Sequence, residues 1–344
     1  MNATFWADDY VEKQRSAPEA IRLIKPGQRV FIGSACGEPQ HLVRELFYAA
    51  RRFADIEIVH LFCQGSSPLS LIAEKTQNQL LNIRAFYLGS ARSGSVARNK
   101  RFIVPINLSD VPHLFKSRKL PIHVALIQVS PPDDFGWLSL GVSVDVTLAA
   151  TLAADLVIAQ ANSRMPRVQG RSFVHVNDVD IIVEHDENLL TGGELPKTAP
   201  SDMIAQHIER LVEDGSTIQA GMGTTASAAL LALSEKNDLG IHTQHITDDI
   251  MHLVSKGVVT NRKKGLNEGK LVASGAIGTH ELYEFLDNNP SIEFHPSDYV
   301  NDPNIVSSNH KLVSLNSAIA MDLTGQVAAD AIPQNRFSGV SPGC

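Results

Sequence analysis

A strand that runs into a glycine turn and then a helix commits a chain to few architectures. The turn needs backbone freedom, and the helix must pack back onto the sheet that the strand belongs to. The stretch 216–249 reads S-T-I-Q-A-G-M-G-T-T-A-S-A-A-L-L-A-L-S-E-K-N-D-L-G-I-H-T-Q-H-I-T-D-D. Residues 216–220 predict a short strand, Gly221 and Gly223 a tight turn, and Thr224 or Thr225 the cap of a helix whose apolar face is 226–233. Gly240 is expected to stop that helix, and 241–243 to lead a second strand into Gln244, His245, Asp248 and Asp249. Such a turn offers N–H groups to an anion or a developing oxyanion, with the polar cluster at the end of the neighbouring strand. A packed βα pair with no site would show the same pattern.

The unit recurs near the start of the chain. Residues 28–33 predict a strand, Gly33 and Gly37 a turn within G-S-A-C-G-E-P-Q-H-L, and 41–50 a helix. Before it, 10–24 predict a helix that includes S-A-P-E-A, a run that favours a capped turn. Short apolar runs at 56–62, 84–88, 123–129, 153–160 and 176–183 predict further strands. They are interleaved with helical segments at 69–79 and from 139 toward 154, the spacing of βα repetition and a mostly parallel sheet. The acidic, glycine-rich stretch E-H-D-E-N-L-L-T-G-G-E-L-P reads as a linker. It places a boundary near 186–200 and divides the chain into 1–190 and 200–344. The expected class is α/β with mostly parallel or mixed sheets.

Several function classes lose support. A net charge of -7 does not favour nucleic acid or an anionic membrane surface as partner. No apolar run approaches a membrane span, and M-N-A-T-F-W-A-D-D-Y is not a basic-then-apolar leader. Cys36, Cys63 and Cys344 lack metal-ligand spacing, and the histidines form no H-E-x-x-H run, so neither a metal nor a tightly bound cofactor is expected. A reduced, cytoplasmic protein follows. Cys36 stands without an evident activating partner and reads as a loop filler before a nucleophile. Arg92, Arg164 and Arg167 suit either an acid or a structural ion pair. The P-P-D-D-F-G-W segment, with Gly136 and Trp137, suits a binding wall or a buried connection.

Read jointly, seven pieces resemble the acetyl-CoA hydrolase/transferase family, especially its acetate and 4-hydroxybutyrate CoA-transferases. They are V-F-I-G-S-A-C-G-E-P-Q, P-P-D-D-F-G-W-L-S-L-G-V-S-V-D, N-S-R-M-P-R-V-Q-G, G-I-H-T-Q, N-E-G-K-L-V-A-S-G-A-I-G, F-H-P-S-D-Y-V-N-D-P and N-S-A-I-A-M-D-L-T-G-Q-V. They keep the family's order across nearly the whole chain. The resemblance implies two CoA-transferase-type domains with the active site at their interface, the second truncated relative to the family. It implies acetyl-CoA or another short-chain acyl-CoA and a short-chain carboxylate as ligands, and a homodimer or larger homo-oligomer. The family's glutamate attacks the thioester, passes through an acyl anhydride and becomes a glutamyl-CoA thioester.

Here G-I-H-T-Q replaces the family's G-I-H-T-E, so Gln244 stands at the nucleophile position. An amide cannot make that anhydride and thioester. Three readings follow: a deliberate glutamate-to-glutamine exchange, a natural loss or alteration of the chemistry, or takeover by Asp248 or Asp249, which the displacement opposes. By resemblance, Gly221 belongs to an oxyanion loop, Gly33 and Gly37 to a loop facing the acyl group, and Glu38 to the ordering of that loop. Met222 and Gly223 adjoin the thioester, Asn316 and Gln326 orient the pantetheine arm, and Ser338 and Gly339 match a CoA-fixing loop in which Ser341 and Pro342 depart from the family. A CoA-transferase is the leading expectation. A noncatalytic or altered acyl-CoA binder is the alternative, as is a hydrolase that uses His245 as base.

Overall fold

A computed structural model describes residues 5–49, 52, 55–61, 81–86, 101–104, 106–192, 198–318, 320–328, 331–332 and 336–337. Cys63, the helix expected at 69–79, Gly89, Arg92, Ile319, Ser338, Gly339, Ser341, Pro342 and Cys344 lie outside the described residues.

The first half is built on a parallel sheet. Its strands run in the spatial order Ile181–Glu184, Leu156–Ala161, Val124–Val129, Arg29–Ile32, Ile56–His60, Leu81–Ala85 and Arg101–Ile103. Every neighbouring pair is parallel. Sequence order departs in both directions from Arg29–Ile32, so the topological switch falls between that strand and Val124–Val129, where open α/β sheets place their crevice. Side chains alternate across the sheet. Val30, Ile32, Val124, Leu126 and Ile158 face the helices Ala17–Ile21 and Gln40–Ala49. Phe31, Ala125, Ile127, Val157 and Ala159 face Val111–Lys116 and Thr147–Ala153. Burial on both faces explains why these strands read as unbroken apolar runs.

The second core cluster continues past the sheet into Ile218, Leu230, Ile241, Leu271 and Phe294, so the two halves share apolar packing. In the second half Thr217–Ala220 pairs in parallel with Gly240–Ile241 on one side and Leu312–Leu315 on the other. His245–Ile246 pairs with Gly275–Ala276, and Leu271–Ala273 with Ile292–Phe294. Gln169–Gly170, from the first half, completes the edge beside Glu293 and Phe294.

Several boundaries differ from the sequence reading, each for a local reason. The helix expected over 10–24 is two, Trp6–Glu12 and Ala17–Ile21, because Ser16 and Glu19 close a capping box that starts a new helix. Residues 137–139 form a strand, and the helix begins only at Thr147, after Gly141 turns the chain at a φ of 56°. Residues 176–183 are a short 3-10 turn followed by Ile181–Glu184. Gly240 does not stop a helix. It opens the next strand, and a Cβ there would stand 2.5 Å from Lys264 Cγ.

Candidate active site

Gln244 owes its place to strand register. Thr217 pairs with Gly240 and Ile218 with Ile241, which brings Thr243 opposite Ala220. There Thr243 Oγ1 accepts from the Ala220 N–H at 3.2 Å and donates to its C=O at 2.9 Å. The next residues on the two strands are Gln244 and Gly221. The regular pairing lapses at this point, since one strand ends at Ile241 and the next resumes at His245. In the gap, the Gln244 C=O takes two donors, Ser274 N–H at 2.9 Å and Gly275 N–H at 3.1 Å. Gln244 is buried, yet its Oε1 has no hydrogen-bond partner, and the same holds for Ser274 Oγ and Thr247 Oγ1. Orphaned polar atoms in a native interior are uncommon and mark places where a ligand or water supplies the missing bond.

The two glycine turns differ in kind. Gly223, at a φ of 118°, precedes the helix Thr224–Ala232, and no side chain caps it. Thr224 is the first helical residue instead of the cap expected from sequence. The first-turn N–H groups therefore lack a side-chain acceptor at the end of the strand beside Gln244. Gly221 itself donates its N–H to Leu315 C=O at 2.8 Å.

The helix that follows the first turn is capped from within. The His41 N–H is shared by Gln160 Oε1 at 3.1 Å and Glu187 Oε1 at 2.9 Å. Gln160, Asn162 and Gln128 knit the same crevice together, with Gln128 Nε2 donating to Glu38 C=O at 3.0 Å. Gly33 and Gly37 spend their N–H groups on Leu126 and Ser34 carbonyls. These two N–H groups are therefore not free for an anion. The glycines of this turn are needed for close approach: a Cβ on Gly37 would stand 2.6 Å from Ser143 Cβ.

That approach joins the two turns. Ser143 bridges to Gly275, whose own missing Cβ would lie 2.6 Å from Val142 O. Gly275 in turn donates to Gln244. The Gly33–Gly37 turn, residues 142–145, Gly275 and Gln244 thus form one continuous contact.

The remaining expected residues divide. Asn316 belongs to the site region, since a Cβ on Gly221 would stand 3.0 Å from its Oδ1. Met222 and Gly223 are half-buried at the helix start. Gln326 lies in an exposed turn, where its N–H donates to Asp322 Oδ1 and its C=O accepts from the Asp322 N–H. Cys36 is buried and its thiol is pushed up to about 11 by that burial, which removes the thiolate a nucleophile needs. Burial likewise pushes His245 down to about 4. Asp248 accepts from Thr279 N–H and Oγ1, the latter at 2.6 Å, and so ties down the next helix. Arg167 is spent on Asp133 at 2.8 Å and on the Ser130 and Trp137 oxygens, which makes the P-P-D-D-F-G-W loop a buttressed connection.

Sequence reasoning passed over Ser34, Ser143, Asp145 and Ser274. Each is a polar residue set inside an apolar run, and that was the available signal. Among the described residues no group of three or more His, Cys, Asp or Glu side chains is placed to hold a metal ion, and no helix is long and apolar enough to cross a membrane. A groove of about 500 Å³ lined by Pro18, Arg22, Glu45, Tyr48 and Arg52 includes none of the residues around Gln244.

A parallel α/β sheet packed against a second half of small, parallel-paired sheets is a scaffold shared with CoA-transferases. Residues 4–191 match the acetyl-CoA hydrolase/transferase N-terminal domain and residues 278–343 the C-terminal domain, so the chain belongs to that family. It is 39% identical over 338 residues to the 4-hydroxybutyrate coenzyme A transferase of Clostridium kluyveri, covering 97% of this chain and 77% of that protein. It is 35% identical over 331 residues to the succinyl-CoA:cyclohexane-1-carboxylate CoA transferase of Geobacter metallireducens, covering 96% and 75%. Among solved structures, RipA from Yersinia pestis superposes with a TM-score of 0.88 at 30% identity, covering 95% of this chain and 78% of that one. The 4-hydroxybutyrate CoA-transferase of Porphyromonas gingivalis gives 0.82 at 33% identity, covering 94% and 77%.

Proposed function

We propose that the chain holds a short-chain acyl-CoA such as acetyl-CoA, and a carboxylate, in a CoA-transferase cleft between 1–190 and 200–344, and that Gln244 withholds the covalent step. The observation that carries this reading is the buried, unpartnered Gln244 Oε1 between an uncapped helix start and a glycine turn pressed against Ser143. A glutamate there would attack the thioester carbonyl, expel CoA thiolate and become an acyl anhydride. The thiolate would then attack the glutamyl carbonyl, release the acyl carboxylate and leave a glutamyl-CoA thioester for the acceptor acid to reverse. The amide nitrogen of Gln244 has its lone pair delocalised into the carbonyl and makes neither bond.

The first-turn N–H groups of Thr224–Ala232, instead of the engaged Gly221 N–H, are the donors this reading assigns to the thioester oxygen. Met222 and Gly223 adjoin the thioester, and Asn316 orients the pantetheine arm. Hydrolysis is the weaker reading, because a histidine held near 4 is a poor base at neutral pH. Calorimetric titration with acetyl-CoA and with free CoA tests the proposal. Saturable binding without transfer of label from acetate into acetyl-CoA is the expected result, and absence of binding by folded protein overturns it.

A further inference from the structure

We propose that Asp145 is the positioning residue that fixes the Gly33–Gly37 turn against the strand carrying Gln244, and thereby sets the space left for the acyl end of a thioester. The proposal rests on the acyl-CoA reading above.

Asp145 is 1% exposed and lies in the turn before the helix Thr147–Ala153. Three of its bonds stay within that turn: Oδ1 accepts from Val146 N–H at 2.6 Å, Thr147 N–H at 3.0 Å and Thr147 Oγ1 at 3.0 Å. They lock the carboxylate in one orientation. The other two reach outward. Ser34 Oγ, inside the glycine turn, donates to Oδ1 at 3.1 Å, and Ser143 Oγ, the neighbour of Gly37, donates to Oδ2 at 3.3 Å. The backbone of the same residue holds the opposite side. Its N–H donates to Ser274 C=O at 3.1 Å, and its C=O accepts from Ser297 N–H at 3.0 Å. Ser274 passes its own N–H to Gln244 C=O at 2.9 Å.

One residue thus links the first-half turn, through Ser34, to the Gln244 strand, through Ser274. These partners are hydroxyls and backbone N–H groups, not a cation. A buried carboxylate held this way is expensive to desolvate, and an apolar side chain would fill the space at lower cost. Starting the helix would need only the bonds within its own turn. The bond to Ser34 does something else: it spans 111 residues and controls where the glycine turn stops.

Ser34→Ala removes that link together with the 3.4 Å contact of Ser34 Oγ with Thr147 Oγ1, and leaves the Asp145 bonds to Val146 and Thr147 in place, so it is the decisive variant. Two measurements are made on the full chain: calorimetric affinity for acetyl-CoA and for free CoA, and amide hydrogen exchange over 271–276. Ser34→Ala is expected to weaken acetyl-CoA about tenfold, the size of one lost hydrogen bond to a charged group, while free CoA changes less than about twofold. Exchange over 271–276 quickens in parallel. Asp145→Asn keeps an Oδ1 acceptor for Ser34 but removes its charge, so it is expected to weaken acetyl-CoA less than Ser34→Ala does, again with the smaller change in free CoA. Equal weakening of both ligands in Ser34→Ala, or no change in either, overturns the proposal, as does unchanged exchange over 271–276. A parent chain that binds neither ligand, with exchange still quickened in Ser34→Ala, removes the acyl-CoA reading and leaves the link between turn and strand standing.

Discussion

At the scale of single residues, what decides the contact between the Gly33–Gly37 turn and the Gln244 strand is the absence of atoms as much as their presence. Gly37 and Gly275 each face a neighbour at 2.6 Å from where a Cβ would be, and both neighbours, Ser143 and Val142, belong to the segment between them. Gly37→Ala must push the first-half turn away from that segment. A cost of about 1–3 kcal/mol is expected, read from urea unfolding, with a larger loss of acetyl-CoA affinity than of free-CoA affinity. Unchanged stability would show that the turn yields freely and that the close approach has no consequence. The glycines were legible in the sequence, and so was the position of Gln244, through its motif. What they touch was not. Ser143, Asp145 and Ser274 are separated from Gly37 and Gln244 by long stretches of chain, and no local pattern reports a contact made by folding.

At the scale of elements, the fold was read well where periodicity was strong and poorly where capping decides. The buried strands announced themselves because both faces are covered, whereas the break at Ser16 and the late helix start at Thr147 depend on side-chain bonds with no periodic signature. The strand Gly240–Ile241 is also a buried polar shelf. His242, in the next position, donates from Nε2 to Val300 C=O at 2.9 Å, and Lys264 Nζ donates to Ile241 C=O at 2.9 Å and Lys270 C=O at 2.8 Å. Burial pushes His242 and His245 from 6.5 down to about 4. The unfolded chain therefore binds these protons first, so their contribution is complete above about pH 6.5 and is lost as pH falls toward about 4. Each is worth up to ~3 kcal/mol at the acid end of that window. Urea unfolding at about pH 7 and about pH 4.5 should show the loss, and His242→Gln, which keeps a donor for Val300, should remove roughly half of it. An identical loss in the variant would assign the acid sensitivity elsewhere.

At the scale of the whole molecule, the halves are bound by a shared core, by the Gln169–Gly170 edge strand and by the backbone bonds of residues 142–145. They should unfold as one unit. Both tryptophans, Trp6 and Trp137, lie before residue 190, so their fluorescence reports the first half while far-ultraviolet circular dichroism reports both. Coincident urea midpoints are expected, and separated midpoints would contradict a shared core. Membership of the acetyl-CoA hydrolase/transferase family and the α/β scaffold were readable from motifs spread along the chain. The internal capping of the helix after the first glycine turn was not, because Gln160 and Glu187 reach the His41 N–H from distant parts of the chain. The central proposal, that the region around Gln244 takes a thioester and that Gln244 withholds the covalent step, is tested most directly by mass spectrometry of Gln244→Glu protein incubated with acetyl-CoA. The account predicts a hydroxylamine-sensitive CoA adduct on residue 244 together with exchange of labelled acetate into acetyl-CoA; a folded variant that shows neither adduct nor exchange would contradict it.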